Sequence, residues 1–170
     1  MKHVLLTLSV VILCGFTLSA QKVGYIDTEL ILKEIPDYQT AQQQLNELAD
    51  KYKAAIESEV GTIDALYRTY QSQKNNMTAT QRAAKEEEII SKEKVVKEKQ
   101  KIYFGEDGIM AKKSEELLTP IQNRITAAIE VLSSTDEYVM IIDLAVATGV
   151  VYKNAKYDLT QDVLKILKIK

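Results

Sequence analysis

The sequence predicts an α+β protein, mostly helical, in which a small β-body of three short strands carries a long antiparallel helical hairpin arm. Three observations lead there. Short β-branched and aromatic runs lie near both ends of the 170-residue chain. Between them, apolar residues recur at steps of three and four over residues 38–70, with no Pro to interrupt. A turn with helix-capping spacing then sends the chain back through a second helical stretch.

Composition narrows the chemistry first. The chain carries 22 Lys+Arg against 24 Asp+Glu, a net charge of −2. Its one Cys, Cys14, and its one His, His3, both fall in the first twenty residues. Lys2 and His3 precede the apolar run Val4–Phe16, which ends at Ser19-Ala20 and a polar Gln21. That is the pattern of a secretory signal, so residues 1–20 are expected to be removed on export. The run is too short to span a bilayer at about 20 residues. The remaining 150 residues contain no Cys, no His and no Trp, and carry −3. Disulfides, thiolate nucleophiles, Ser–His–Asp relays and Cys/His zinc sites are excluded from them. Their five glycines show no phosphate-loop spacing. The expectation is no enzyme, no cofactor and no catalytic or metal residue, with carboxylate-only chemistry the one enzymatic class left formally open. The acidic balance gives no expectation of a nucleic-acid partner.

The elements follow in chain order. Val23–Asp27 reads as a strand of β-branched and aromatic residues closed by an acid. Thr28 is positioned to cap a short helix that Pro36 stops. Asp37 is then read as the cap of a long helix to Lys74, with a seam of Tyr38, Ala41, Leu45, Leu48, Tyr52, Ile56, Val60, Ile63, Tyr67 and Tyr70. At 1.5 Å per residue this rod is roughly 55 Å long and needs a partner helix. Asn75-Asn76 end it, and Thr78 with Gln81 has the spacing of a capping box for the return helix, Ala79 to Tyr103. The return helix is rich in Lys and Glu. Its seam, Ile89, Glu93, Val96, Gln100 and Tyr103, alternates apolar with polar, so the pair should hold loosely.

Phe104-Gly105-Glu106-Asp107-Gly108 interrupts the helix. The apolar pattern resumes from Ile109 to Leu132, with Pro120 inside it, and Ser133–Asp136 reads as a turn. Tyr138–Asp143 is a continuous apolar run of the kind covered on both faces, hence a second strand. Val150–Tyr152 is read as a third, and Val163, Leu164 and Leu167 mark a last short helix capped by Asp158 or Thr160. The division expected is residues 1–20 as signal peptide, 21–37 with 110–170 as head and oligomerisation body, and 38–109 as arm. Residues 74–101 carry +3 and the rest of the mature chain −6, so the distal arm is mildly basic. Three short strands make a poor core alone, and oligomerisation is the natural remedy.

Gly24-Tyr25-Ile26-Asp27 and Ile31-Leu32-Lys33-Glu34-Ile35-Pro36-Asp37-Tyr38 resemble the start of the Skp (OmpH-like) family of periplasmic chaperones. Glu86-Glu87-Glu88-Ile89, Tyr103-Phe104-Gly105, Glu116–Gln122 and Tyr157-Asp158-Leu159-Thr160 match in the same order. The resemblance covers essentially all of 22–167. It implies a Skp-like homotrimer whose strands form a small β-body and whose three hairpins surround a cavity. It implies that unfolded outer-membrane proteins are held there without ATP. Well-known members are strongly basic, whereas this chain is net acidic, so binding of anionic lipid or lipopolysaccharide is not carried over with the rest.

The candidate client contacts on the arm are Tyr52, Ile63, Tyr67, Tyr70 and Met77; the plainer reading of a Tyr at seam spacing is coiled-coil packing. The candidate oligomer or head core is Val23, Tyr25, Ile26, Val139, Ile141 and Val151. The Lys/Glu stretch 85–101 reads as a solvated face with pairs such as Glu88–Lys92, or as a weak contact with a membrane surface. Asp27 and Asp143 read as strand-end turn residues rather than a catalytic pair. Two functions stay open at this point: an ATP-independent holdase for unfolded outer-membrane proteins, and a coiled-coil spacer or envelope tether without chaperone activity.

Overall fold

A computed structural model describes residues 22–169; the expected signal peptide lies outside the described residues. The elements are β1 (Lys22–Ile26), α1 (Thr28–Glu34), α2 (Pro36–Gln73), α3 (Ala79–Phe104), α4 (Ile109–Asp136), β2 (Tyr138–Asp143) and α5 (Thr160–Ile166). Short 3-10 turns occupy Lys74–Asn76 and Ala155–Tyr157. The chain is thus mostly helical, with a long helical hairpin and a small strand body. By contacts it forms two compact units: residues 22–31 with 128–168, and residues 32–127.

Three helix starts differ from expectation, and at the last of them, α5, the residue before the helix is Leu159, with no side-chain cap, rather than Asp158 or Thr160. The cap of α1 is Asp27, not Thr28: its Oδ1 accepts the Leu30 N–H at 3.1 Å and its carbonyl accepts the Ile31 N–H at 3.1 Å. Thr28 sits one residue inside and turns to Asp143, donating its N–H to Oδ1 at 3.1 Å and its hydroxyl to Oδ2 at 2.6 Å. Likewise Asp37 does not cap α2. The helix begins on Pro36, preceded by extended Ile35 at φ −88°, ψ 112°. Proline suits the first helical position, and it pushes the residue before it out of the helical region. Ile35 alone therefore separates α1 from α2, and Pro36 starts the longer rod. Asp37 lies in the first turn, where a carboxylate complements the dipole.

The return is as expected at Thr78, a complete capping box. The Gln81 N–H reaches Thr78 Oγ1 at 3.2 Å, and the Thr78 N–H reaches Gln81 Oε1 at 2.9 Å. The turn predicted at Ser133–Asp136 is instead the last turn of α4. Ser133 and Ser134 donate back to the Glu130 carbonyl at 2.9 and 2.8 Å, and Thr135 to Val131 at 2.8 Å. Hydroxyls that favour turns here bond within the helix. The chain reverses one residue later, at Glu137, whose φ is 56°.

β1 and β2 pair in parallel, Val23 opposite Met140 and Ile26 opposite Asp143. The third predicted strand is absent among the described residues: Val150–Tyr152 is irregular and Val151 is 98% exposed. The second edge of β1 is already taken by Asp158 and Leu159, whose N–H reaches the Tyr25 carbonyl at 2.8 Å. Nor is β2 covered on both faces, since Val139 and Met140 are exposed.

The core of this unit holds Tyr25, Ile26, Ile31, Ala128, Leu132, Leu159, Val163 and Leu164. Ile31 and Val163 are fully enclosed, and each such side chain contributes about 1.5–3 kcal/mol. Burial pushes the Tyr25 phenol up, and the Asp158 carboxylate beside it adds to the rise. Of the expected head core, Tyr25 and Ile26 are buried and Ile141 is half-buried. Val23, Val139 and Val151 are not core within one chain, because a two-stranded sheet offers no second layer to cover them.

Candidate functional site: the helical hairpin

The hairpin belongs to the second unit, and its seam is thin. Ile63 and Tyr70 of α2 close with Ile89 and Val96 of α3 in one buried cluster, against which Ile56, Leu66 and Met77 are partly packed. Polar groups flank it. The Tyr70 hydroxyl donates to Glu86, which holds the phenol above its ordinary value, with burial second. Lys99 pairs with Glu59 across the helices, and that bond raises the ammonium. Nearer the base of α3, Tyr52 stacks on Tyr103 with centroids 4.1 Å apart and planes 12° from parallel. Phe104 meets Tyr52 edge-on at 6.4 Å.

These contacts sort the candidate arm residues. Ile63 and Tyr70 are seam residues. Tyr52 is half-buried in the aromatic stack, and Met77 is half-buried under the hairpin turn. Only Tyr67, 52% exposed, presents its ring outward.

Sequence reasoning missed other outward apolar groups, among them Val60, Ile90, Val95 and Ile102. A signal for three of them was present. Ile89-Ile90, Val95-Val96 and Ile102-Tyr103 are adjacent pairs, and neighbours on a helix point about 100° apart. One member of each pair turns to α2 and the other is left on the surface. The aromatic stack had a signal too, since Tyr52 and Tyr103 lie nearly equal distances from the turn at Asn76.

The basic stretch is partly neutralised in place. Glu88 takes Lys85 at 2.7 Å, three residues before it, rather than Lys92 as expected. That bond holds Glu88 below the usual carboxylate range, with Lys92 adding a smaller pull. Asp27 and Asp143 are occupied by capping. Asp143 also accepts the Ala145 N–H at 3.0 Å, so its role is to join strand end and helix start. Among the described residues no cluster of His, Cys, Asp and Glu has the makings of a metal site. No helix of the described residues is long and apolar enough to cross a membrane.

The thin-seamed hairpin, with a parallel strand pair drawn from the two chain ends, defines a class of protein. The model of the outer membrane protein (OmpH-like) family matches residues 22–167. The chain belongs to that family. Among solved structures it is similar to one from Caulobacter crescentus CB15 described as an outer membrane chaperone (OmpH-like). The two superimpose with a TM-score of 0.63 at 11% identity, over 88% of this chain and 85% of that one, which bears on the fold alone. No curated protein matches the sequence.

Proposed function

We propose that this chain is a periplasmic chaperone, exported with loss of residues 1–20, that holds unfolded outer-membrane proteins without ATP. Three copies associate through the head, and their hairpins enclose the client. Membership of the OmpH-like family across 22–167 carries this reading. The hairpin suits it physically. Its two helices are held by few buried side chains, so they can splay to fit clients of different size. Tyr67, Val60, Ile90, Val95 and Ile102 offer scattered apolar contacts, individually weak, so a client is retained but not trapped. The exposed Val23, Val139 and Val151 belong to the surface that partner protomers cover. Contact of the basic distal arm with a membrane surface is at most weak, because Lys85 and Lys99 are already paired.

Deletion of Ala55–Val95, with a Gly-containing turn joining the stumps, tests the reading. The shortened chain keeps both strands and should form the same oligomer by light scattering. It should fail to keep an unfolded β-barrel protein in solution, where the intact chain succeeds. A spacer or tether protects no client in either form. Full protection by the shortened chain places the client site outside the hairpin and overturns enclosure.

A further inference from the structure

The apex of the hairpin hangs on one side chain. Between Tyr70 and Ile89 the only large apolar residue is Met77; the rest of that stretch is polar, charged or Ala. Met77 directly precedes the Thr78 cap, with extended backbone at φ −90° and ψ 147°. Four residues into α3, where a hydrophobic staple would find its partner, stands Arg82. Met77 packs instead on the cluster of Ile63, Tyr70, Ile89 and Val96, half-buried, and closes that cluster at the turn. The same side chain lines an open cleft of about 670 Å³, together with Gln73, Asn76, Gln81, Lys85 and Glu88. That space admits small solutes many times over. Gln81 Oε1 is taken by the Thr78 N–H at 2.9 Å, which leaves its amide nitrogen to donate. Beyond the first twenty residues the chain has no Cys, so its readily oxidised sulfurs are the thioethers of Met77, Met110 and Met140. Met140 is 56% exposed on β2, where an added oxygen breaks little packing within the chain.

We propose that Met77 is an oxidation site through which a hypohalous acid opens the hairpin tip. The sulfur lone pair attacks the oxygen of hypochlorous acid. The O–Cl bond breaks, chloride leaves, and the hydroxyl proton passes to water. Sulfur is oxidised and chlorine reduced by the same electron pair. The product, methionine sulfoxide, is polar and no longer suits the apolar cluster. Its oxygen finds donors in the cleft, at the amides of Gln73, Asn76 and Gln81. Tyr70 and Ile89 then lose their cover at the turn. The Glu59–Lys99 pair and the Tyr52–Tyr103 stack lie farther along the hairpin and stay closed. A methionine sulfoxide reductase with a dithiol reverses the change: the oxygen leaves as water and the dithiol becomes a disulfide. The switch belongs to the hairpin of a single chain and holds whether or not the chain binds clients.

The full chain treated with graded hypochlorous acid tests it, with peptide mapping to follow the oxygen at Met77 and hydrogen exchange to follow the tip. Once Met77 is oxidised, the amides of Lys74–Arg82 should exchange roughly 3- to 10-fold faster, the factor carried by losing the burial of half such a side chain. Exchange at Lys97–Tyr103 should be unchanged. Met77→Leu, which keeps the apolar volume without the sulfur, should hold the slow rate at the same dose. Met77→Gln should show the fast rate with no oxidant, and reductase treatment of the oxidised chain should restore the slow one. A tip that exchanges no faster after Met77 is oxidised overturns the proposal. So does equal acceleration in Met77→Leu at the same dose, and so does a Met77 that stays a thioether at doses that convert Met110 and Met140 completely.

Discussion

Replacing Asp143 by Ala should weaken the head more than any other single carboxylate change. One side chain there serves three donors: the Thr28 N–H at 3.1 Å, the Thr28 hydroxyl at 2.6 Å and the Ala145 N–H at 3.0 Å. A net hydrogen bond contributes about 0.5–1.5 kcal/mol, and a donor left unsatisfied in a half-buried site costs more. Three such bonds, partly open to water, give a loss of about 2–4 kcal/mol. Asp143→Asn keeps one acceptor oxygen, and the Thr28 hydroxyl can rotate to accept from the amide, so the loss falls to about 1 kcal/mol. The measurement is urea unfolding followed by circular dichroism, at one protein concentration because association shifts apparent stability. A double-mutant cycle with Thr28→Val isolates the pair and should give a coupling of roughly 1 kcal/mol or more. An Ala variant within about 0.5 kcal/mol of the parent, or a coupling near zero, refutes the assignment of Asp143 as the tie between strand end and helix start.

Three further outcomes follow. Gly61 lies inside α2 with nothing within 4 Å of where a Cβ would sit, so Gly61→Ala should raise stability by roughly 0.8–1 kcal/mol in the same urea assay. The Tyr70 phenol is raised in the folded state, so its contribution is whole below the ordinary tyrosine value near pH 10 and is lost as pH rises through the raised one. Tyr70→Phe should therefore flatten the alkaline fall in Tm without abolishing it, since Lys99 is raised by Glu59 and fades in the same direction. Val151→Asp should leave the fold of each chain intact, because the residue is 98% exposed, yet reduce the native mass seen by light scattering if partner protomers cover it.

Much of this was legible from residue spacing. The uninterrupted three-four rhythm of 38–70 marked the long rod, and Thr78 with Gln81 marked the start of its return, because both signals are local. Errors arose where a local preference met a second demand. Ser133–Asp136 has turn-forming residues, but their hydroxyls find helical carbonyls and the helix continues to Asp136, with the reversal at Glu137. Thr28 is a good cap in isolation, yet Asp27 caps while Thr28 serves an acid far along the chain. Val150–Tyr152 has strand composition, but it pairs with neither strand of its own chain: Asp158-Leu159 holds the outer edge of β1, and Val151 is left 98% exposed. At the candidate site, spacing separated seam from surface poorly. It identified the helix face but not which of two adjacent apolar residues, such as Ile89 and Ile90, would turn inward.

The parallel pairing of β1 with β2 also dictates an order of events when the chain folds. The hairpin closes on contacts near in sequence, as between Tyr70 and Glu86, so it can form early. The head cannot. Thr28 meets Asp143 across a separation of 115 residues, and the Asp27 N–H meets Thr160 Oγ1 across 133. A chain emerging from its N-terminus must therefore carry β1 unpaired, with Tyr25 and Ile26 open to water, until Tyr138–Asp143 have appeared. Over that interval the nascent protein presents an unsatisfied strand edge to its surroundings, and is itself the kind of polypeptide that a chaperone would recognise.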